Sequence, residues 1–326
     1  MHVSITQESF ESLATCWMTF RGQLRWQPLF VLPVWLKVWW QNFGSGFELY
    51  LGAVRQGERI IGIAPLLIRE GNASIIGSAD VCDYLDFIVA AGSENDFFNA
   101  LLDDLTKRGV HRLDPGPLRP DSTVLTHLIH IAESRKYAVS CRDEAVSMEM
   151  DLPVTWEEYL EMLDKKQRHE LRRKLRRLFG AGDVVYRCLK TGQEVSGFMD
   201  TFLKLFMLSR QEKADFMTPK MGSFFRSLAK AMTEAGLLRF GILELDRSPV
   251  AMTLGFDYDD SLYLYNSAYD PRYNYLSVGL LCKALCIKES IQDGKKKFDF
   301  LKGDETYKYH LGGKDIPLSR CEITLA

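Results

Sequence analysis

Twice along this chain, two apolar runs stand on either side of a short polar turn, and helical stretches precede each pair. Phe47–Arg55 (FELYLGAVR) and Arg59–Arg69 (RIIGIAPLLIR) flank Gln56-Gly57-Glu58, where Gly57 supplies the tight turn of a hairpin. Leu237–Leu245 and Val250–Tyr258 flank Asp246-Arg247-Ser248-Pro249 in the same way. Antiparallel hairpins alternating with helices restrict the chain to an α/β (α+β) class in which helices cover the sheets.

The remaining periodicities extend the pattern. In the first half, 8–20 and 33–42 read as helices. Pro33 opens the second of them, and Trp35, Val38 and Trp39 lie on one face. After the hairpin come strands at 73–77 and 84–90, then a helix at 93–108 with Ser93 as its N-cap. A short strand at 111–113, a helix at 121–136 and strand-like segments through Leu152 follow. In the second half, 155–179 reads as one long helix whose Thr155 and Glu158 are spaced as a capping box. A strand at 183–189 and helices at 193–211 and 219–235 follow, the last stopped by Gly236. After the second hairpin come a strand at 261–267, a helix at 276–292 and strands at 297–301 and 317–325. Element order repeats while residues do not, so two domains are expected, 1–152 and 153–326.

Charge narrows the function classes. Forty-one basic residues against 43 acidic ones leave a net charge of −2, which excludes a surface built wholly for nucleic acid. The seven cysteines are scattered, with no CxxC pair, so the expectation is reduced thiols, no disulfide framework and a cytoplasmic location. The N-terminus has no basic segment leading into an apolar one, so no signal peptide is expected. The run from Leu29 to Trp40 is broken by Pro33 and Lys37 and is too short to span a bilayer. His127 and His130 lack further ligands nearby, so no metal is expected.

Four segments carry residue types suited to chemistry. In YLYNSAYDPRYNYLSVGLLCKALCI a strand gives way through a polar loop to a helix beginning near Leu276. A helix N-terminus offers unpaired amides and a positive dipole end to an anion, and Ser277 and Gly279 are small enough to let a diphosphate reach them. The plainer reading is a loop with a good cap. In FDFLKGDETYKYHLGG, a loop crowded with Lys302, Asp304, Glu305, Tyr307 and Lys308 follows a strand. A carboxylate there suits a general base, while an ordinary charged turn also explains the composition. KKQRHELRRKLRR, residues 165–177, places eight Lys or Arg and one Glu on an amphipathic helix fit for an anion, or for plain solvation. Asp83 and Asp86, at the start of a first-half strand, are candidate substrate contacts, although such acids more often cap turns or pair with arginine.

Taken together, these residues resemble the GNAT acyltransferase superfamily, in the branch of CelD-like proteins and FemAB-type peptidoglycan transferases. The matching pieces are Trp35 with Trp40-Gln41-Asn42-Phe43-Gly44, Ile61-Gly62-Ile63-Ala64-Pro65-Leu66 and the basic run Arg168–Arg177. Tyr269-Asp270-Pro271 with Tyr275-Leu276-Ser277-Val278-Gly279, and Phe298 to Glu305 with Tyr307-Lys308, complete the set. The resemblance implies two tandem GNAT-like domains, each a mixed, mostly antiparallel sheet flanked by helices. It also implies acyl transfer from acetyl-CoA or another acyl-CoA to a small-molecule or glycan acceptor. It places the donor along Asn266, Ser267, Asn274, Tyr275, Ser277, Val278 and Gly279. Of the family's Gln/Arg-x-x-Gly-x-Gly/Ala turn, Gly279 matches outright, Ser277 is merely small and Asn274 departs. Asp304 and Glu305 are then candidate bases and Tyr307 a candidate acid, with Asp83, Asp86, Tyr269, Lys302 and Lys308 as acceptor contacts. A tRNA-borne aminoacyl donor and a non-catalytic ligand-binding pair are the alternatives. No phosphate turn stands out in the first half.

Overall fold

The computed structural model describes residues 3–325 apart from Arg21, Ala79 and Lys190. It divides into two compact units, residues 1–146 with 316–326, and residues 147–315. The first unit therefore takes back the last eleven residues of the chain, and the division falls six residues before the expected one.

In unit 1, β1 (Val3–Gln7) leads into α1 (Phe10–Phe20) and α2 (Pro33–Phe43), then the hairpin β2 (Glu48–Gln56) and β3 (Arg59–Arg69). β4 (Asn72–Ile75), β5 (Ile88–Val89), α3 (Glu94–Lys107), β6 (Arg112–Asp114), β7 (Pro117–Leu118), α4 (Ile129–Ser134) and β8 (Ala138–Asp151) follow. Strands β1 to β4 pair antiparallel in order, and β4 pairs parallel with β6. A parallel pair needs a crossover, and α3 provides it. Its Phe97 and Phe98 stack edge-on against Phe87 in the core.

Unit 2 repeats the plan. α5 (Trp156–Met162), α6 (Lys165–Phe179), β9 (Val184–Leu189), α7 (Gly192–Ser209), α8 (Gln211–Phe216) and α9 (Pro219–Glu234) precede the hairpin β10 (Leu238–Leu245) and β11 (Ser248–Tyr258). β12 (Ser261–Tyr269), α10 (Val278–Gln292), β13 (Lys297–Lys302) and α11 (Thr306–His310) follow, and β14 (Lys314–Thr324) begins here and ends in unit 1. β9 to β12 pair antiparallel, β12 pairs parallel with β13 across α10, and β13 pairs with Ser147–Asp151 of β8. The core is aromatic: Phe202, Phe224, Phe225 and Phe240 are fully buried.

Four expectations need correction. The helix at 155–179 is two helices. Leu163 is extended, and Asp164 caps α6 by accepting from the Gln167 amide at 2.8 Å. The predicted capping box at Thr155 is present and belongs to α5 alone. Ser93 precedes α3 without a side-chain capping bond, and the strand at 84–90 shrinks to Ile88–Val89. Cys141 and Cys321 form a disulfide. They are 180 residues apart and meet because β14 and β8 are neighbours in the sheet, which spacing in sequence does not reveal. No helix among the described residues is long and apolar enough to cross a membrane.

Candidate functional site

The site is built on the place where unit 2 stops pairing its own strands. β12 and β13 pair only over Ser261–Tyr263 and Lys297–Asp299. Beyond that, β12 continues to Tyr269 held by β11 alone, with Asn266 opposite Leu254 and Ser267 opposite Thr253. Two parallel strands that diverge leave main-chain groups free to bond an extended ligand. Asn266 and Ser267 are both half-buried there.

The chain then turns into α10. Asp270 is buried, and its carboxylate accepts from the Arg272 amide and guanidinium; that hydrogen bonding holds it below the usual carboxylate range. A 3-10 turn over Pro271–Leu276 follows, with Asn274 and Tyr275 exposed. Ser277 is left-handed (φ 59°, ψ 34°), and its side chain does not cap the helix. The first amides of α10, at Val278 and Gly279, therefore lack the partner that a capping side chain would give. Val278 buries its side chain, so only its main chain is available. The requirement for glycine at 279 comes from packing: a Cβ there would stand 2.8 Å from the Tyr269 ring. Tyr269, expected as an acceptor contact, supports the helix head instead and donates its hydroxyl to the Ser209 carbonyl at 3.3 Å.

The basic helix adjoins this turn. Arg177, near the end of α6, donates to the Ser277 hydroxyl at 3.3 Å. Arg173 pairs with Glu170 at 2.8 Å. Among the described residues the other six Lys and Arg of 165–177 have no carboxylate at ion-pair distance. The basic run thus meets the helix head through Arg177.

Residues 165–309 match the family profile described as an acetyltransferase (GNAT) domain. This stretch is a GNAT domain. The fold of the whole chain is similar to that of FemX, at 12% identity and TM-score 0.68, covering 98% of this chain and 96% of that one. It is also similar to the C-terminal domain of a putative lysylphosphatidylglycerol synthetase from Agrobacterium fabrum (10% identity, TM-score 0.59, 88% and 86% covered). A tandem GNAT protein from the clavulanic acid biosynthesis pathway matches at 13% identity and TM-score 0.51, with 99% and 98% covered. Comparison with curated proteins gave no match.

Within the GNAT domain, the loop after β13 departs from the expected roles. Lys308 is 2% exposed, and its ammonium donates to the carbonyls of Leu301, Lys302 and Gly303 at 2.9, 2.7 and 3.1 Å. It also pairs with Glu305 at 3.0 Å. It is an internal clamp on the loop, with no donor left for an acceptor molecule. Burial works to raise the Glu305 carboxyl, but the Lys308 charge and hydrogen bond, a backbone hydrogen bond and the Arg210 charge together outweigh it and hold the group below its usual range. A carboxylate held low is a poor proton acceptor, so Glu305 serves as a counter-ion. Asp304 is exposed, and Lys302 ends β13 half-buried. Burial pushes the Tyr307 hydroxyl well above its ordinary value, which keeps the proton that an acid must donate.

The first-half candidates lie in unit 1. Asp83 is half-buried. Asp86 is buried, with all its bonds internal: it accepts from the Thr123 amide and hydroxyl at 2.7 and 2.6 Å and from the Phe87 amide at 2.9 Å. Those bonds tie two loops together. Sequence reasoning held Arg177 only as one member of the basic run 165–177, and missed Lys213 and Lys283. Lys283 left a signal, a lone cation inside the apolar run LLCKALCI. Lys213 left none, because α8 itself went unpredicted. Among the described residues no cluster of His, Cys, Asp and Glu could hold a metal ion.

Proposed function

We propose that this chain is an acyl-CoA-dependent N- or O-acyltransferase acting on a sugar, amino sugar or polysaccharide precursor. The observation that carries this reading is the uncapped head of α10, beside the diverging strands β12 and β13 and within reach of Arg177. The diphosphate of the carrier would lie on the Val278 and Gly279 amides, and its extended arm along Asn266 and Ser267. The acceptor's amine or hydroxyl attacks the thioester carbonyl, the carbon–sulfur bond breaks, and the departing thiolate takes a proton, for which Tyr307 is the candidate. Asp304 remains the exposed carboxylate for proton removal from the acceptor. A cytoplasmic location suits such a donor, and there the Cys141–Cys321 bond is subject to reduction.

A specific observation favours one second reading. The unpaired cations of α6, adjoining the helix head, fit a donor carried on a nucleic acid, as an aminoacyl-tRNA. Calorimetry with acetyl-CoA and with charged tRNA separates the two. The CoA reading expects acetyl-CoA binding that weakens in Arg177→Ala; binding of charged tRNA alone replaces it, and binding of neither overturns both.

A further inference from the structure

Two lysines in unit 2 stand apart from the roles assigned so far. Lys283, on α10 one turn beyond Gly279, is 6% exposed. Its ammonium donates to the Gly279 carbonyl at 2.9 Å and lies 4.4 Å from the centre of the Tyr307 ring. Lys213, on α8, donates to the Ser267 carbonyl and lies 4.4 Å from the centre of the Phe206 ring. Each ammonium therefore has donors to spare.

Among the described residues no carboxylate comes within ion-pair distance of Lys213 or Lys283. The charged groups acting on them are Arg210, Lys308 and Glu305, with the Cys282 thiol beside Lys283. The carboxylate of Glu305 is already taken by Lys308. Buried charges are ordinarily paired, so a surplus of cations beside the ends of β12 and α10 is costly unless an anion joins them. The titration directions agree. Burial pushes Lys213 down to about 7, and the Lys283 and Arg210 charges add to it. Burial likewise lowers Lys283 to about 8.

We propose that Lys213 and Lys283 form a binding subsite for an oxyanion carried by the acyl acceptor. An oxyanion placed between them would satisfy the spare donors and balance the surplus charge. The naming of the acceptor rests on the transferase reading; the subsite does not.

The test uses the full chain, Lys213→Met, Lys283→Met, and Arg177→Ala as a control at the helix head. Inorganic phosphate, and acetate in a separate series, are titrated by calorimetry at pH 8 in two buffers of different protonation enthalpy. An anion binds the protonated lysines, so the wild type should take up protons on binding. Affinity should fall about tenfold or more in each lysine variant and hold in Arg177→Ala. Binding of acetate alone assigns a carboxylate, and binding of phosphate alone a phosphate. Thermal melting without anion should hold or rise in the lysine variants, because an unpaired buried charge has been removed. Loss of anion binding in Arg177→Ala with retention in the lysine variants would move the anion to the helix head and overturn the proposal. No anion binding at all would do the same, as would lower melting temperatures with unchanged affinity. Acetyl-CoA binding in the same proteins separates the two ideas. If it is absent everywhere while phosphate still tracks the lysines, the donor reading falls and the subsite stands. Normal acetyl-CoA binding with no anion effect leaves the reverse.

Discussion

Replacing Gly279 with alanine adds one methyl group against the Tyr269 ring. The new carbon would lie 2.8 Å from Cδ1 and 3.0 Å from Cγ of that ring. Carbon atoms in good contact sit about 3.5–4.0 Å apart, so roughly 0.7–1 Å must be found. Either the ring turns, at the expense of its 3.3 Å bond to the Ser209 carbonyl, or the head of α10 lifts. Overpacking of this kind costs about 1–3 kcal/mol. Alanine returns up to ~1 kcal/mol of helix propensity, less in a first turn. The expected net loss is about 1–2 kcal/mol, or a melting temperature lower by about 2–6 °C. Urea denaturation of wild type, Gly279→Ala, Tyr269→Ala and the double variant measures it. With the ring gone, the same methyl has room and its effect should shrink to zero or turn stabilising, a coupling of about 1–3 kcal/mol. An equal loss in both backgrounds would show that the glycine does not answer to Tyr269, and the account of the helix head given above would be wrong.

Two further outcomes bear on the side chains reassigned here. Burial pushes the Asp86 carboxyl up to about 6, above its ordinary 3.8. The folded chain thus holds that proton longer than the unfolded chain does, and stability present below about pH 4 is lost as pH rises toward 6. The slope amounts to about 3 kcal/mol, and Asp86→Asn should remove it from a series of denaturation curves between pH 4 and 7. An unchanged slope would assign the effect to another group. Lys308→Met should cost roughly 2–4 kcal/mol, since three carbonyls and Glu305 lose their shared donor. Unaltered stability in urea would mean that the ammonium is not the clamp described.

Much of the architecture was legible because it rests on local rules. Turn chemistry at Gly57 and Gly236 and the capping box at Thr155 each leave a fixed spacing in the sequence. The helices between parallel strands follow from connectivity. The misses share a different cause. The break at Leu163 and Asp164 interrupts a periodicity that continues across it, because Asp164 caps without altering the charge pattern. α8 and α11 are too short, at six and five residues, to complete two turns of a detectable stripe. The site divides along the same line. The helix head at Ser277–Gly279 was readable from a strand, a loop and a small-residue turn in succession. That Lys308 points inward, that Asp86 holds Thr123, and that Lys213 comes near Ser267 are facts of tertiary contact. A lysine that clamps carbonyls and a lysine that binds substrate look alike in a sequence.

The Cys141–Cys321 bond has a topological consequence. Residues 147–315 leave unit 1 and return to it between those two cysteines, so the bond makes the whole GNAT domain the contents of a closed covalent ring. A ring of that circumference removes about 5 kcal/mol of entropy from the unravelled polymer, by the chain-entropy estimate. A backbone cut anywhere inside it would leave one molecule rather than two, and the severed domain would stay tethered by sulfur until a thiol released it.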